Sequence, residues 1–254
     1  KAGIVTSFVK SPLKIGVSRD KARDANWLFT THRLAPSGPQ HAQDDALDFA
    51  RALGIDPEPL RWEIGPWAAE REWQREFFAT FNRPLAALVV ASTEDERDWP
   101  AQRMAELSDA LWFDYGLAPI LVGGTSEREL RAKQLVCATA RHTPASALGS
   151  GLRRMVSIID GAALVVSPDT GPLHMAAALD RPVIALMGHT NPKRKAPFRR
   201  FQDLVVDAFG EPGEDYSADA PNRPRRMERI SVRDVLDRVE RWKSSYNASS
   251  GPKG

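Results

Sequence analysis

Between residues 85 and 207 the chain alternates short apolar runs with longer stretches in which apolar residues recur at helical spacing. The short runs predict buried strands, and the longer stretches predict helices with one apolar face. Strands and helices that alternate in this way are typical of a doubly wound parallel sheet, so we predict an α/β fold. The predicted strands cover residues 85–91, 118–122, 163–166, 183–187 and 204–206, and the helices between them include residues 100–113, 151–160 and 172–179.

The end of the chain predicts one more helix after an irregular stretch. Residues 210–226 are polar and have the composition of a disordered segment. Ser231 and Asp234 follow with the spacing of a capping box, in which two side chains bond the free amides of a helix start. We therefore predict a helix that begins just after Ser231.

The first 83 residues are less regular and predict part of a second α/β domain. Asn82-Arg83-Pro84 interrupts every regular pattern, so we predict domains of residues 1–83 and 84–254. Because the chain opens at Lys1 without a turn or cap signal, we expect that an upstream part is missing. The elements predicted before the boundary are a strand at residues 13–17, a helix at 41–53, an alternating strand at 60–64 and an aromatic-faced helix after Pro66.

A polar turn joins the predicted strand that ends near residue 166 to the helix that follows it. Asp169, Thr170 and Gly171 form this turn, and Pro172 fits the first position of the helix. Open parallel sheets bind ligands at the carboxyl ends of their strands, and the free amides of a helix start attract phosphates. Gly171 would let a phosphate approach the backbone, Thr170 offers a hydroxyl, and His174 offers an imidazole in the first helical turn. The turn therefore predicts a phosphate site.

Each of these residues also has a simpler structural interpretation. Asp169 and Thr170 are residue types that commonly cap helices, and His174 on its own is as readily a core residue. Capping does not require all of these groups together, so the cluster favours a phosphate site. The crossover from residue 166 to residue 183 is short, and the two strands are therefore expected to be parallel neighbours.

Two further polar turns are expected at the same edge of the sheet. Ser92, Thr93 and Arg97 follow the first strand, and hydroxyls together with a guanidinium suit a diphosphate. The alternative is a solvated acidic loop in which Arg97 pairs with a neighbouring carboxylate. Glu127 follows the next strand, where it either accepts hydrogen bonds from a ribose or base or begins a helix with a favourable charge. No G-x-G-x-x-G or P-loop motif occurs in the chain.

Composition narrows the classes of protein. Hydrophobic residues make up 42% of the 254 residues, enough for a core, and the formal net charge of +2 gives no argument for nucleic-acid binding. The single cysteine, Cys137, suits a reducing compartment. Neither a signal-peptide pattern nor an apolar run of about 20 residues is present, so we expect a cytoplasmic protein. A basic run at residues 193–200 leaves one alternative open, the binding of nucleic acid or anionic lipid.

Four stretches of the sequence carry a family resemblance. They are K-I-G-V-S-R-D-K-A-R-D-A-N-W-L-F at residues 14–29, A-S-T-E-D-E-R-D-W-P at 91–100, G-G-T-S-E at 123–127 and D-T-G-P-L-H-M-A-A-A-L-D-R-P-V-I-A-L-M-G at 169–188. Together they resemble glycosyltransferase family 9, the ADP-heptose:lipopolysaccharide heptosyltransferases. The resemblance covers about residues 1–207 and implies a GT-B fold, in which two Rossmann-like domains face each other. Residues 84–254 are then the nucleotide-sugar domain, and residues 1–83 are part of the acceptor-side domain with its interdomain helix.

The resemblance also implies roles for single residues and for partners. Asp169 is expected to bind the sugar hydroxyls, and Glu127 the adenosine. Arg97 stands where the family usually has lysine, which keeps the charge and changes the geometry. The expected partners are an ADP-heptose-like donor, the lipopolysaccharide core as acceptor and, through peripheral contact, inner-membrane lipid, with no nucleic acid, metal or cofactor. The residues expected around the donor phosphates are Ser92, Thr93, Thr170, Gly171 and His174.

The catalytic base is not found by the same comparison. In the family it is an aspartate in a glycine-containing first turn of the N-terminal domain, and this sequence has no such strand and turn. We therefore predict a glycosyltransferase that carries the donor half of its site without the base. Because no D-x-D motif occurs, we expect transfer without a metal. The alternative is a non-catalytic nucleotide-sugar-binding module or an inactive relative.

Overall fold

The computed structural model describes residues 2–22 and 25–246 of the chain. Arg23 and Asp24, which belong to the first of the four stretches that carry the family resemblance, lie outside the described residues. Within the described ranges, every helix is too short or too polar to cross a bilayer.

The described chain forms two compact units. The first comprises the residues up to Leu60 together with Ser217–Asp219, and the second comprises those from Arg61 to Tyr216 and from Ala220 onward. The domain boundary predicted after residue 83 stays a prediction, while the compact units divide the chain earlier, after Leu60.

Short parallel strands and helices form the first unit. The strands pair Ile15 with His32 and Gly16 with Arg33. The sequence predicted the first of these strands and the second helix, each with bounds slightly wider than those observed. The elements are α1 (Ala2–Phe8), β1 (Ile15–Gly16), β2 (His32–Arg33) and α2 (Ala42–Ala52).

The second unit is built on a six-stranded parallel sheet. All five strands predicted from the apolar runs are present, and one short strand, β5, was not predicted. The strands are β3 (Leu85–Val89), β4 (Ala118–Val122), β5 (Ala145–Ser146), β6 (Leu164–Pro168), β7 (Val183–Met187) and β8 (Val205–Asp207). The helices are α3 (Ala68–Ala79), α4 (Ala101–Phe113), α5 (Glu127–Thr139), α6 (Leu152–Gly161), α7 (Gly171–Ala178), α8 (Pro192–Lys195) and α9 (Val232–Ser245).

The strand order is β5-β4-β3-β6-β7-β8, so the direction in which the chain adds strands reverses between β3 and β6. From β3 the chain builds outward to β4 and β5, and then it returns to β6 on the other side of β3. Doubly wound folds bind ligands at this point, outside the carboxyl ends of the strands. The parallel pairing of β6 with β7, predicted from their short crossover, is confirmed by the register of Val166 with Ile184.

Burial fixes α7 at this edge of the sheet. Leu173 and Ala176 of α7 are fully buried in the core that the sheet and its helices share. At the far end of the chain, the indole N–H of Trp242 donates to the carbonyl oxygen of Ala163 at 3.1 Å, which ties α9 to the start of β6. Buried apolar side chains therefore hold both helices against the sheet.

Packing explains why α3 belongs to the second unit. Trp73 and Phe77 stack with ring centroids 4.9 Å apart, and both pack against the core. The side-chain amide of Gln74 donates to the carbonyl oxygen of Ser157 in α6 at 2.8 Å. A Cβ on Gly161 would lie 2.3 Å from the ring of Phe78, so this glycine lets the two helices approach closely. The aromatic face predicted after Pro66 is thus a packing face.

The strand predicted at residues 60–64 is wrong, because the structure has irregular backbone there. The alternating pattern lacks a partner strand in the described part of the chain, and a strand requires one to satisfy its backbone groups. Trp62 remains 42% exposed as a result.

The segment predicted to be disordered, residues 210–226, is held by a local ionic network. A guanidinium nitrogen of Arg223 donates to the carbonyl oxygen of Phe209 at 3.0 Å and to the carboxylate of Glu214 at 2.7 Å. The hydrogen bond from Arg223 lowers the pKa of Glu214 to about 2. The prediction failed because composition alone does not reveal which of many charged residues pair.

The capping box predicted at the start of α9 is confirmed, and it gives a stability prediction. The hydroxyl of Ser231 accepts from the amide of Asp234, and the Asp234 carboxylate accepts from the amide of Ser231 at 2.8 Å. Ser231→Ala removes one of these bonds and is expected to lower the free energy of unfolding by about 1 kcal/mol. Urea unfolding measures this change in the free energy of unfolding, and Ser244→Ala, at the other end of α9, is the control. If both variants lose the same stability, Ser231 does not act as a specific cap.

Candidate functional site

A cavity of about 480 Å³ lies where the strand order reverses, between β3 and β6. Its size is typical of sites for small molecules. The polar turns predicted after β3 and after β6 both contribute to its wall, so the structure brings them together. The cavity is lined by Ser92 and Thr93 after β3, by Gly123, Gly124, Ser126, Arg128 and Glu129 after β4, by Leu152 and Met155 of α6, and by Thr170, Gly171, Pro172 and Met175 around the start of α7.

The first turn of α7 faces this cavity without a side-chain cap. Thr170 is the N-cap residue, and neither its hydroxyl nor any other described side chain caps the helix. The structural interpretation, in which Asp169 and Thr170 cap α7, is therefore wrong. Uncapped amides at a helix start carry partial positive charge and bind anions.

Gly171 has no packing reason to be a glycine. A Cβ at this position would lie 3.6 Å from the Met175 side chain, an ordinary contact, and the backbone of Gly171 is not in the left-handed region. Glycine inside a helix start also lowers stability relative to alanine. Gly171 lines the cavity, where the lack of a side chain leaves its backbone open to a ligand.

A charged cluster of Arg97, Asp169 and His174 lies beside the start of α7. The Asp169 carboxylate is 3.5 Å from a guanidinium nitrogen of Arg97 and 3.3 Å from Nε2 of His174. Burial would raise the pKa of the Asp169 carboxyl, but the hydrogen bond with His174 and the positive charge of Arg97 outweigh it and hold that pKa below its usual value. Asp169 is 5% exposed, so the structure holds a buried, ionised acceptor next to the cavity.

Arg97 pairs with a carboxylate of its own turn and also lies near Asp169, while its contact with a diphosphate stays a prediction. Its guanidinium lies 3.0 Å from the Glu94 carboxylate, as the solvated-loop alternative requires, and it also reaches Asp169 across the sheet edge. The Nε atom of Arg97 is buried without a hydrogen-bond partner among the described residues. The guanidinium therefore links the turn after β3 to the turn after β6.

Ser92 and Thr93 contribute differently to the wall. The Ser92 hydroxyl donates to the carbonyl oxygen of Glu94 at 2.6 Å, so it shapes its own turn. Thr93 is exposed and lines the cavity. The turn ends at Trp99, which is 3% exposed and donates its indole N–H to the carbonyl oxygen of Ile230 at 2.9 Å. Arg103 donates to the same carbonyl oxygen at 2.6 Å.

The structure does not bring Glu127 into the cavity. Its side chain is 81% exposed and pairs with Arg131 one helical turn further on. Glu129, two residues further on, forms the capping box of α5 with Ser126, in which its carboxylate accepts from the Ser126 amide. Arg128, next to Glu127, lines the cavity. Adjacent positions on a helix point about 100° apart, so Glu127 and Arg128 face different directions, and the contact of Glu127 with adenosine stays a prediction.

Some residues of the predicted basic run pair with carboxylates. In the basic run at 193–200, Lys193 pairs with Asp215 at 2.7 Å and Arg200 with Asp180 at 2.9 Å. The contact of this run with nucleic acid or lipid stays a prediction. Across the described ranges, no group of three or more His, Cys, Asp or Glu side chains lies close enough together to hold a metal ion.

The model of glycosyltransferase family 9 (heptosyltransferase) matches residues 1–214. The chain belongs to glycosyltransferase family 9. This confirms the family inferred from the strand-end motifs.

Relatives of this glycosyltransferase family 9 chain include lipopolysaccharide heptosyltransferases. It is 28% identical to the lipopolysaccharide core heptosyltransferase OpsX of Haemophilus influenzae, over 83% of this chain and 60% of that protein. It is 38% identical to lipopolysaccharide heptosyltransferase 1 of Escherichia coli K12, over 75% of this chain and 58% of that protein. The chain spans about three fifths of the length of these curated relatives.

A solved structure shows the fold of the family 9 chain. The E. coli ADP-heptose lps heptosyltransferase II matches with a TM-score of 0.68 and 21% identity, over 94% of this chain and 72% of that one. The predicted fold class, α/β and GT-B-like with a parallel Rossmann-like sheet, is confirmed by this likeness and by the strand order.

Proposed function

We propose that this chain binds an ADP-heptose donor in the cavity beside α7 and takes part in the transfer of heptose to the lipopolysaccharide core. The observation that carries the proposal is the uncapped start of α7, which faces a cavity of about 480 Å³ next to the charged cluster. The relatives described above are lipopolysaccharide heptosyltransferases, which supports the choice of donor and acceptor.

The proposed binding mode assigns each part of the donor to a different chemistry. The diphosphate lies at the amides of Thr170 and Gly171, where the helix dipole and Arg97 offset its charge. The buried carboxylate of Asp169 accepts hydrogen bonds from heptose hydroxyls. The nucleoside occupies the part of the cavity with apolar side chains, including Met155 and Met175.

The same groups support cleavage of the sugar–phosphate bond. As this bond breaks, its electron pair moves to the diphosphate oxygen, and the departing ADP gains negative charge. The amides at the start of α7 and the guanidinium of Arg97 stabilise that charge as it develops. The proposed transfer uses no metal, since the sequence has no D-x-D motif.

The proton of the acceptor hydroxyl requires a base from another part of the protein. Asp169 is unsuited to this role, because a carboxyl whose pKa is lowered is a weak base. We therefore propose donor binding as the function of this cavity, with the base supplied by a residue other than Asp169. A non-catalytic nucleotide-sugar-binding module is the second candidate, since its cavity requires no base.

The proposal is tested by titration calorimetry with ADP-heptose and by one glycine variant. Wild-type protein is expected to bind, and Gly171→Ala is expected to weaken binding about tenfold, because the added methyl group keeps the phosphates from the backbone. The stability of Gly171→Ala is expected to be equal to wild type or up to about 1 kcal/mol higher, since alanine favours the helix.

Gly38→Ala is the matched control, since a Cβ at Gly38 meets nothing within 4 Å. It is expected to leave affinity unchanged. Absence of binding by folded wild-type protein would falsify the proposed function. Binding that Gly171→Ala leaves intact would place the diphosphate elsewhere. Heptosyl transfer to lipopolysaccharide core, measured in the same preparation, separates the enzyme from the binding module.

A further inference from the structure

The guanidinium of Arg128 contacts the turn after β3 at two points. One terminal nitrogen donates to the carbonyl oxygen of Ser92, and Nε lies 3.1 Å from the Asp98 carboxylate. Arg128 is in the first turn of α5, which follows a different strand from the Ser92 turn. The side chain therefore joins two neighbouring segments of the cavity wall.

Asp98 completes the arrangement from inside the turn. Its other carboxylate oxygen accepts from the backbone amide of Ser92 at 2.6 Å. Its side chain is 19% exposed, and burial raises the pKa of the carboxyl despite the nearby charge of Arg128. Ser92 is thus held at its N–H by Asp98 and at its C=O by Arg128, while the two holding groups pair with each other.

This double hold fixes the peptide between Ser92 and Thr93. In a planar trans peptide the C=O and N–H bonds point in opposite directions. A carbonyl oxygen held by Arg128 therefore sets the direction of the Thr93 amide, and Thr93 itself lines the cavity. We propose that Arg128 is a positioning residue, which orders the Ser92–Thr93 peptide for contact with the donor phosphates. This inference rests on the proposed function, because it concerns the same cavity.

An ordinary surface ion pair lacks these features. Arg131 and Glu127 pair on the same helix, and both side chains are exposed. Within the described chain, neither side chain makes a hydrogen bond to another element. Arg128 is 37% exposed, lines the cavity and bonds a backbone carbonyl. Arg131 therefore provides a matched control, with the same charge and the same helix but without the contact to Ser92.

The hold on Ser92 is tested without any ligand by hydrogen exchange of peptides that cover residues 90–98. Arg128→Gln is expected to speed exchange there about tenfold or more, because the bond to the Ser92 carbonyl and the pairing with Asp98 are both lost. Arg131→Gln is expected to exchange like wild type. Equal exchange in Arg128→Gln and wild type would overturn the inference, whether or not the protein binds a nucleotide.

The effect on the phosphates is tested by comparing ADP with adenosine in ligand-observed NMR. Arg128→Gln is expected to bind ADP about tenfold more weakly, the scale of one charge-assisted hydrogen bond, and adenosine as wild type does. A merely structural role would weaken both ligands alike, and that result would overturn the positioning role. If wild-type protein binds neither ligand, the proposed function fails and the phosphate half of this inference fails with it, while the exchange result still decides the hold on Ser92.

Discussion

Asp169→Asn is expected to weaken the binding of ADP-heptose about 100-fold while the affinity for ADP stays within about threefold of wild type. The carboxylate accepts charge-assisted hydrogen bonds from sugar hydroxyls, and the neutral amide accepts weaker ones. ADP lacks the heptose, and the negative charge of Asp169 repels its diphosphate. Removal of that charge therefore does not weaken the binding of ADP. Titration calorimetry with both ligands measures the difference between the two affinities.

Asp160→Asn is the matched control for the loss of a paired, poorly exposed carboxylate. Asp160 is 13% exposed and lies 3.0 Å from Arg71, at the end of α6 that precedes β6. Its variant is expected to lose stability and to keep both affinities. If Asp169→Asn weakens the binding of ADP and of ADP-heptose equally, Asp169 does not bind the heptose hydroxyls.

The pH dependence of wild-type binding follows from the same carboxylate. An Asp with the ordinary pKa of 3.8 begins to lose its charge near pH 5, about one unit above that value. Because the pKa of Asp169 is lowered, its charge persists to lower pH, and its contribution to sugar binding is lost only as pH falls through that lowered value. A loss of sugar binding between pH 7 and pH 6 would require a different titrating group.

Arg97→Ala is expected to weaken ADP and ADP-heptose alike, about 30-fold, because the guanidinium offsets the charge of the diphosphate that both ligands share. The loss is expected to deepen at acidic pH for ADP-heptose alone. Removal of Arg97 takes away one of the positive charges that lower the pKa of Asp169, so this carboxyl protonates at higher pH than in wild type.

Arg97→Lys separates charge from geometry in the same experiment. Lysine keeps the positive charge as a single ammonium group, so the variant is expected to recover most of the lost ADP affinity. A variant Arg97→Ala that loses ADP-heptose affinity and keeps ADP affinity would show that Arg97 acts through Asp169 and not on the phosphates.

The parts of the site that follow a strand were predictable from the sequence. Apolar runs locate β3 and β6, and parallel strands bring their carboxyl ends to one edge, so the turns at Ser92 and Asp169 were expected there. The order of the strands was not predictable from the pattern, because it depends on pairing between segments far apart in the chain. The point where the strand order reverses was therefore found only in the structure.

The features that the sequence did not determine have local causes. Glu127 and Arg128 are adjacent, and only the rotation of α5 decides which of them meets the cavity. The alternating pattern at residues 60–64 is a property of a single segment, whereas a strand requires a partner. The order of residues 210–226 depends on the pairing of Arg223 with Glu214, which many other combinations of charges in that segment equally allow.

The bonds that Trp99 and Arg103 donate to Ile230 both end on a main-chain carbonyl oxygen. Any amino acid at position 230 supplies that oxygen, so these bonds place no demand on the side chain. They do demand that residue 230 keep its place just before α9, which begins at Val232. An insertion or deletion between residue 230 and α9 would remove both bonds together and release the far end of the Ser92 turn, whereas exchange for a side chain that fills the buried place of Ile230 would preserve them.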